Sequence, residues 1–176
     1  MLKSFLAASA LASFALSGAA FAQGAAKPND AQIAHIAYTA GQIDIAAGEQ
    51  ALAKSKNQAV RSFAAEMVRD HKAVNEKALA LVKKLGVTLE PNPTSKALSS
   101  QADQKGAELA RLNGAAFDRA YVANEVAYHR TVNGALKDTL IPSAQNAELK
   151  SLLQTGLTLF SEHQAHAEHL AVSQKK

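Results

Sequence analysis

The apolar positions of this chain recur at helical spacing in four long segments. In the first segment, Ile33, Ile36, Ala40 and Ile43 follow one another at intervals of three or four residues, which is the interval that lines one face of an α-helix. No segment alternates at strand period over a useful length. The pattern predicts four helices, over about residues 30–55, 57–85, 115–138 and 145–172.

The connections between these helices differ in length. Asn57 can cap the second helix after a very short connection, so the first two helices should be antiparallel neighbours. Pro91 and Pro93 then break the chain, and a short amphipathic piece follows over about 95–112. Pro142 is expected to lie in the connection between the third and fourth helices. Two antiparallel hairpins joined by one long crossover predict an all-α, ferritin-like four-helix bundle.

The residues before the first helix follow the pattern of a secretory signal peptide. Lys3 provides a positive start, an apolar stretch follows, and Ala20 to Ala22 form a small-x-small cleavage signal. We therefore expect an exported protein, periplasmic or associated with the outer membrane. The expected organisation is a signal peptide over 1–22, a flexible leader over 23–29, one bundle domain over 30–172 and a tail over 173–176.

Composition excludes several classes of protein. The chain has no cysteine, which excludes disulfides, thiolate metal ligands, covalently attached c-type haem and cysteine nucleophiles. Its formal charge is +4, but basic residues alternate with acids, so nucleic-acid binding is not expected. After the signal peptide, no segment approaches the roughly 20 apolar residues that a transmembrane helix needs. Peripheral association with the envelope and the oligomeric state stay open.

Imidazole and carboxylate groups interrupt the apolar faces of all four helices. His71, His129 and His163 lie near the middle of the second, third and fourth helices. Such groups are costly to bury unless they are paired, hydrogen-bonded or bound to a metal, so several of them pointing inward indicate a polar site in the bundle core. The candidate metal-site residues are Asp44, Glu66, Asp70, His71, Asp118, Tyr121, Glu125, His129, Glu162, His163 and His166.

The candidates differ in their expected roles. The histidines and nearby acids are expected to bind the metal, whereas Asp118 and Tyr121 are expected to orient the ligands. Nitrogen and oxygen donors of this kind suit Fe, Mn, Zn or Cu, and they do not choose among these metals.

The axial level of each group decides which groups can meet, because a helix advances about 1.5 Å per residue. Counting from the expected helix ends places Asp44 level with His71. The same counting places His163 opposite Glu125, with His129 several ångströms away. It therefore favours two separate groups over one compact cluster of three histidines.

Three parts of the chain carry a resemblance to a known family. They are Phe63 to His71, Gly114 to Tyr121 together with His129, and His163 with Ala167. Across about residues 30–172 the chain resembles the exported bacterial domain-of-unknown-function family 4142, whose members are often labelled outer membrane proteins. This resemblance implies a ferritin-like four-helix bundle in the envelope and no established activity. It also implies that the acid of the first helix is usually Glu, whereas this chain has the shorter Asp44.

The motifs do not specify a reaction. The paired Glu-x-x-His motifs of di-iron ferritin-like proteins are absent, since Glu66 lies five residues before His71 and Glu125 four before His129. Oxidase chemistry therefore has only fold-level analogy behind it. Two alternatives to a simple metal-binding bundle stay open: a non-enzymatic helical interaction or stress protein with a purely structural polar core, and a redox enzyme with an open metal position.

Overall fold

The computed structural model describes residues 27–174, and all regular structure in this part of the chain is helical. This confirms the predicted all-α class. The predicted signal peptide and most of the predicted leader lie outside the described residues. The elements are α1 (Asp30–Lys54), α2 (Gln58–Lys84), α3 (Pro93–Ala110), α4 (Gly114–Ala135), a π-helical turn (Leu136–Leu140), α5 (Ile141–Ser143) and α6 (Ala147–Ser173).

Asparagine side chains determine where most of the helices begin. At the starts of four helices an asparagine Oδ1 accepts hydrogen bonds from backbone N–H groups of the first turn, which otherwise have no partner in the helix. Each such cap is worth about 1 kcal/mol. The capping residues are Asn29 of α1, Asn57 of α2, Asn92 of α3 and Asn146 of α6.

Helices α1 and α2 are antiparallel neighbours that pack closely, as the short connection predicts. The close approach depends on glycine: a Cβ atom at Gly41 would lie 2.3 Å from Oδ1 of Asn75, and one at Gly48 would lie 2.8 Å from Cγ2 of Val68. Asn75 also donates a hydrogen bond of 3.3 Å to the carbonyl of Tyr38 across this interface. The absence of side chains at these two glycines therefore allows α1 and α2 to approach this closely.

The four long helices α1, α2, α4 and α6 surround the core. The end of α2 meets the start of α6 through Lys84 and Glu148 (2.6 Å), so these helices are antiparallel, and the short segment 144–146 makes α4 and α6 antiparallel as well. Helix α1 contacts α4, where the hydroxyl of Tyr128 donates to the carbonyl of Ala40 (2.8 Å). In chain order the long helices run up, down, down and up, and α3 lies in the crossover between α2 and α4.

The third predicted helix extends further than expected, to Ser143. The reason is the π-helical turn, in which the N–H of Ile141 reaches the carbonyl of Leu136 five residues earlier. This wider turn accommodates Pro142, which lacks an N–H and would crowd the carbonyl four residues before it in a regular helix. Pro142 is therefore inside α5, and only residues 144–146 connect it to α6.

The buried core consists of two apolar clusters with a polar layer between them. One cluster, near the 144–146 connection, includes Ile33, Leu136 and Phe160. The other, near the opposite end, includes Phe63 and Phe117. A cavity of about 50 Å³ lies within the first cluster. The buried polar residues of the intervening layer are Asp44, His71, Glu125, His129 and His163.

Candidate metal centre

Three histidine side chains converge in the polar layer. The ring centroids of His71, His129 and His163 lie 5.4 to 5.7 Å from one another. One ring nitrogen of each lies within 4.8 Å of the other two. All three residues are at most 3% exposed. The expectation of two separate groups was therefore wrong, because the structure brings the three imidazoles into one compact cluster.

The reference point of the counting explains the error, because the levels of the last two helices were counted from the end of the bundle opposite the connection that joins them. The 144–146 connection is the direct link between α4–α5 and α6, so axial levels are best counted from it. His163 lies 16 residues after Ala147, and position 127 lies 16 residues before Ser143. His129 is two residues from that position, a distance of about 3 Å along the helix. The offset that separated His129 from His163 largely disappears when levels are counted from this connection.

Two buried carboxyl groups lie beside the histidines. Oδ2 of Asp44 is 3.4 Å from Nε2 of His71 and 3.4 Å from Nε2 of His129. Oε2 of Glu125 is 3.6 Å from Nδ1 of His129. Asp44, Glu125 and His129 form a second group of potential ligand atoms that lie within 4.8 Å of one another. His129 thus belongs both to the histidine cluster and to this carboxylate group.

Most polar atoms of the layer make no hydrogen bond to another group in the described part of the chain. They are both carboxyl oxygens of Asp44 and of Glu125, both ring nitrogens of His71, Nε2 of His129 and Nδ1 of His163. Roughly nine in ten buried polar groups in proteins have a partner, and leaving one unpaired costs about 1–3 kcal/mol. So many oxygen and nitrogen atoms without a hydrogen bond in one place indicate a site that binds a cation through their lone pairs.

Burial shifts the ionisation of the whole layer. It raises the pKa of Asp44 to about 7. Burial, followed by the charge of Asp44, raises the pKa of Glu125 well above its ordinary value. Burial also lowers the pKa of His129 to about 4, and it lowers the pKa of His71 and of His163. The imidazoles are therefore neutral at pH 7, which is the form that binds metal ions.

A third group of potential ligands lies between this layer and the surface. One atom each from Glu66, Asp70 and His163 lies within 4.8 Å of the others. Oδ2 of Asp70 is 3.1 Å from Nε2 of His163, and Oε2 of Glu66 is 2.8 Å from Nδ1 of His166. Arg69 makes two hydrogen bonds to Asp70, of 2.7 and 2.9 Å. These bonds hold the pKa of Asp70 below its ordinary value.

The remaining candidates lie outside these three groups. Asp118 and Tyr121 are buried, and Oδ1 of Asp118 and the hydroxyl of Tyr121 make no hydrogen bond among the described residues. The ligand-orienting bonds expected of them are thus not present. Burial, then the charges of Glu125 and Asp44, raise the pKa of Tyr121 well above its ordinary value. Glu162 is exposed on α6.

The site has an aromatic wall that sequence reasoning did not assign to it. The ring of Phe160 stacks on that of His71, with centroids 4.5 Å apart and planes 8° from parallel. Phe160 is also part of the first apolar cluster. Its position three residues before His163, on the same face of α6, was the available indication. Phe160 separates the imidazoles from the cavity in the first apolar cluster.

Comparison with known proteins assigns the chain to a family. The model of the family described as "Domain of unknown function (DUF4142)" matches residues 15–170, and the chain belongs to this family. This confirms the resemblance found in the sequence. No curated protein and no solved structure matches the chain. Among the helices within residues 27–174, none has the length and apolar character needed to cross a membrane.

Proposed function

We propose that this protein is an exported bundle of the ferritin-like type that holds a divalent transition metal in its buried core. One observation carries the proposal: three buried histidines and two buried carboxyl groups, contributed by all four long helices, meet in one layer where most of their polar atoms make no hydrogen bond within residues 27–174. The order of the long helices and the long crossover between α2 and α4 support the ferritin-like assignment.

Charge balance favours a divalent cation. Ionised Asp44 and Glu125 contribute two negative charges, and the neutral histidines contribute none. A divalent ion therefore makes the buried layer neutral overall, whereas two unpaired carboxylates without a cation are costly to bury. The raised pKa of Asp44 reflects that cost. Binding the ion would release the protons that the metal-free carboxyl groups retain.

Distances and donor types narrow the class of ion. Ligand atoms on one ion with bonds near 2 Å are roughly 3.3 Å apart in tetrahedral geometry. Within each of the two buried groups, His71 with His129 and His163 and Asp44 with Glu125 and His129, the three ligand atoms lie within 4.8 Å of one another. Metal binding at either group would therefore draw the side chains inward by a modest amount. Imidazole and carboxylate donors without thiolate suit Fe, Mn, Zn or Cu. Large hard ions such as Ca²⁺ are disfavoured because they require six to eight oxygen ligands.

The proposed location is the periplasm or the periplasmic face of the outer membrane. Support comes from the sequence of residues 1–22, with its positive start, apolar stretch and small-x-small signal. A cysteine-free metal site suits an oxidising compartment, because nitrogen and oxygen ligands do not oxidise to disulfides.

The competing function is a helical interaction or stress protein whose polar core only fixes helix register. A network of that kind would be expected to satisfy its own polar groups. The unpaired atoms of Asp44, His71 and Glu125 therefore favour the metal-binding proposal.

Metal analysis of the mature protein, purified without a histidine tag, tests the proposal. After chelator treatment, the protein is loaded separately with Fe²⁺, Mn²⁺, Zn²⁺ or Cu²⁺, and bound metal and thermal stability are measured. We expect bound metal and a higher Tm with at least one ion. The triple change of His71, His129 and His163 to Gln should abolish both effects, whereas His169→Gln, on the exposed surface of α6, should not.

Circular dichroism checks that the triple variant keeps its helices, and His129→Gln alone replaces it if they are lost. A wild-type protein that binds none of the four ions and gains no thermal stability from them would contradict the proposal and leave the structural alternative.

A further inference from the structure

The third ligand group forms a graded path from solvent to the buried layer. The side chains of His166 and Glu66 are 46% and 31% exposed, that of Asp70 is 16% exposed and that of His163 is 1% exposed. His166 contacts Glu66 at 2.8 Å and Asp70 contacts His163 at 3.1 Å. Each step inward therefore offers a nitrogen or carboxylate donor with less exposure to water than the last.

His163 is the link between this path and the core. It is the only residue shared by the outer group, with Glu66 and Asp70, and the buried group, with His71 and His129, among the described residues. Its Nε2 faces Asp70 at 3.1 Å, while its buried Nδ1 makes no hydrogen bond to any residue that the structure describes. An ion held at Asp70 and His163 would thus already contact one ligand of the inner cluster.

The other residues of the polar layer offer no comparable route. The side chains of Asp44, Glu125 and His129 are at most 1% exposed. His71 is stacked against Phe160 on one face. Within residues 27–174, the three ligand groups therefore connect to partly exposed donors only on the α2–α6 side, where Glu66, Asp70 and His166 lie.

We propose that Glu66, Asp70 and His166 form the entrance through which a divalent transition metal reaches the buried layer, with His163 passing it inward. This inference rests on the proposed function. Glu66 and His166 capture the hydrated ion, and Asp70 and His163 then replace more of its water. Arg69 currently occupies both oxygens of Asp70, so the ion must displace this exposed guanidinium to proceed.

An entrance affects rates without affecting the final site. The double variant Glu66→Gln with His166→Gln removes the two outer donors but no ligand of the buried layer. The matched control is Glu162→Gln with His169→Gln. It removes the same two residue types from exposed positions of α6, and Glu162 also contributes negative charge near His163 without belonging to a ligand group.

The experiment measures uptake of Co²⁺ or Zn²⁺ by the chelator-treated mature protein in stopped flow, and release of the ion to excess chelator. Capture by local donors typically accelerates association at least about tenfold. We expect the entrance variant to slow uptake and release by that same factor, with unchanged affinity and number of ions bound. The control variant should stay within about twofold of wild type.

Several results would overturn the proposal that these residues form an entrance. Unchanged rates in the Glu66/His166 variant would do so, and so would equal slowing by the Glu162/His169 control, which would reveal general electrostatic attraction instead. Loss of one bound ion or of affinity in the entrance variant would make the outer group a resident site. If the wild type binds metal and any of these occurs, only the entrance fails. A wild type that binds no metal overturns the proposed function as well.

Discussion

Replacing Asp44 by asparagine should make the metal-free protein more stable at neutral pH. The side chain is fully buried, and burial raises its pKa from 3.8 to about 7. A carboxyl group whose folded pKa is raised favours the folded state below its unfolded pKa. That contribution is lost as the pH rises towards the folded pKa, because ionising the group inside the core is costly. Asparagine has nearly the same shape and cannot ionise.

The magnitude follows from the pKa difference. Each pKa unit corresponds to about 1.36 kcal/mol, so a shift from 3.8 to about 7 corresponds to a loss of about 4 kcal/mol at pH 7, relative to the fully protonated group. Near pH 4 the wild type and Asp44→Asn should have similar stability. At pH 7 the variant should be more stable by about 4 kcal/mol.

Protonation of the histidines changes the stability of the fold with pH in the opposite direction. The effect of Asp44 is therefore measured as the difference in stability between wild type and Asp44→Asn. The pKa of His129 is lowered to about 4, so its contribution is present above its unfolded pKa and is lost as the pH falls towards 4. In the wild type this loss partly cancels the effect of Asp44. Because both proteins contain His129, its contribution largely cancels in the difference between them, which reports Asp44 together with the effect of its charge on Glu125.

Urea denaturation at pH 4, 5.5 and 7, followed by circular dichroism in the presence of a chelator, measures this difference. Asp103→Asn, at an exposed position of α3, is the control and should change stability by less than about 0.5 kcal/mol at every pH. A difference between Asp44→Asn and wild type that does not vary with pH would refute the reasoning. Saturating metal should reverse the order of stability, because an ion stabilises the ionised carboxylate.

Two further predictions concern the fold. Gly41→Ala should destabilise the protein by about 1–3 kcal/mol through overpacking, because the added Cβ would lie 2.3 Å from Oδ1 of Asn75. Gly106→Ala, with nothing within 4 Å, should instead stabilise α3 by about 0.5–1 kcal/mol; urea denaturation measures both, and equal effects would contradict the packing argument. Asn57→Ala should cost about 1 kcal/mol through loss of a helix cap, whereas Asn113→Ala should cost less because Asn113 makes no capping bond. Thermal unfolding compares the two, and an equal loss of Tm would argue against capping.

Most of the fold was predictable because local and long-range preferences agree. Apolar residues recur every three or four positions, Asn57 stands at a helix start, and Pro93 provides the first turn of α3. The crossover was recognisable because Pro91 and Pro93 interrupt the helical pattern. The extension of α4 was not, because Pro142 normally ends a helix, and the π-helical turn that accommodates it has no local sequence marker.

The inward positions of the site could be predicted, but its geometry could not. His71 follows Met67 and precedes Val74 in a regular apolar series, so its burial follows from helical spacing. The meeting of His71 with His129 depends on the level of α4 relative to α2, and counting along the chain does not give that level because the long crossover joins the two helices. The same spacing places Glu66 beside the apolar face of α2, but its contact with His166 depends on the packing of α2 against α6, which lies far away in the sequence.

The cavity near the 144–146 connection has a mechanical consequence. Its walls, which include Ile36, Leu153 and Phe160, are almost entirely apolar and give water few partners, so the void stays dry. Unfolding eliminates such a void and reduces the volume of the system, which means that hydrostatic pressure favours the unfolded state. The end of the bundle that contains the cavity is therefore where hydrostatic pressure should act most strongly on the fold.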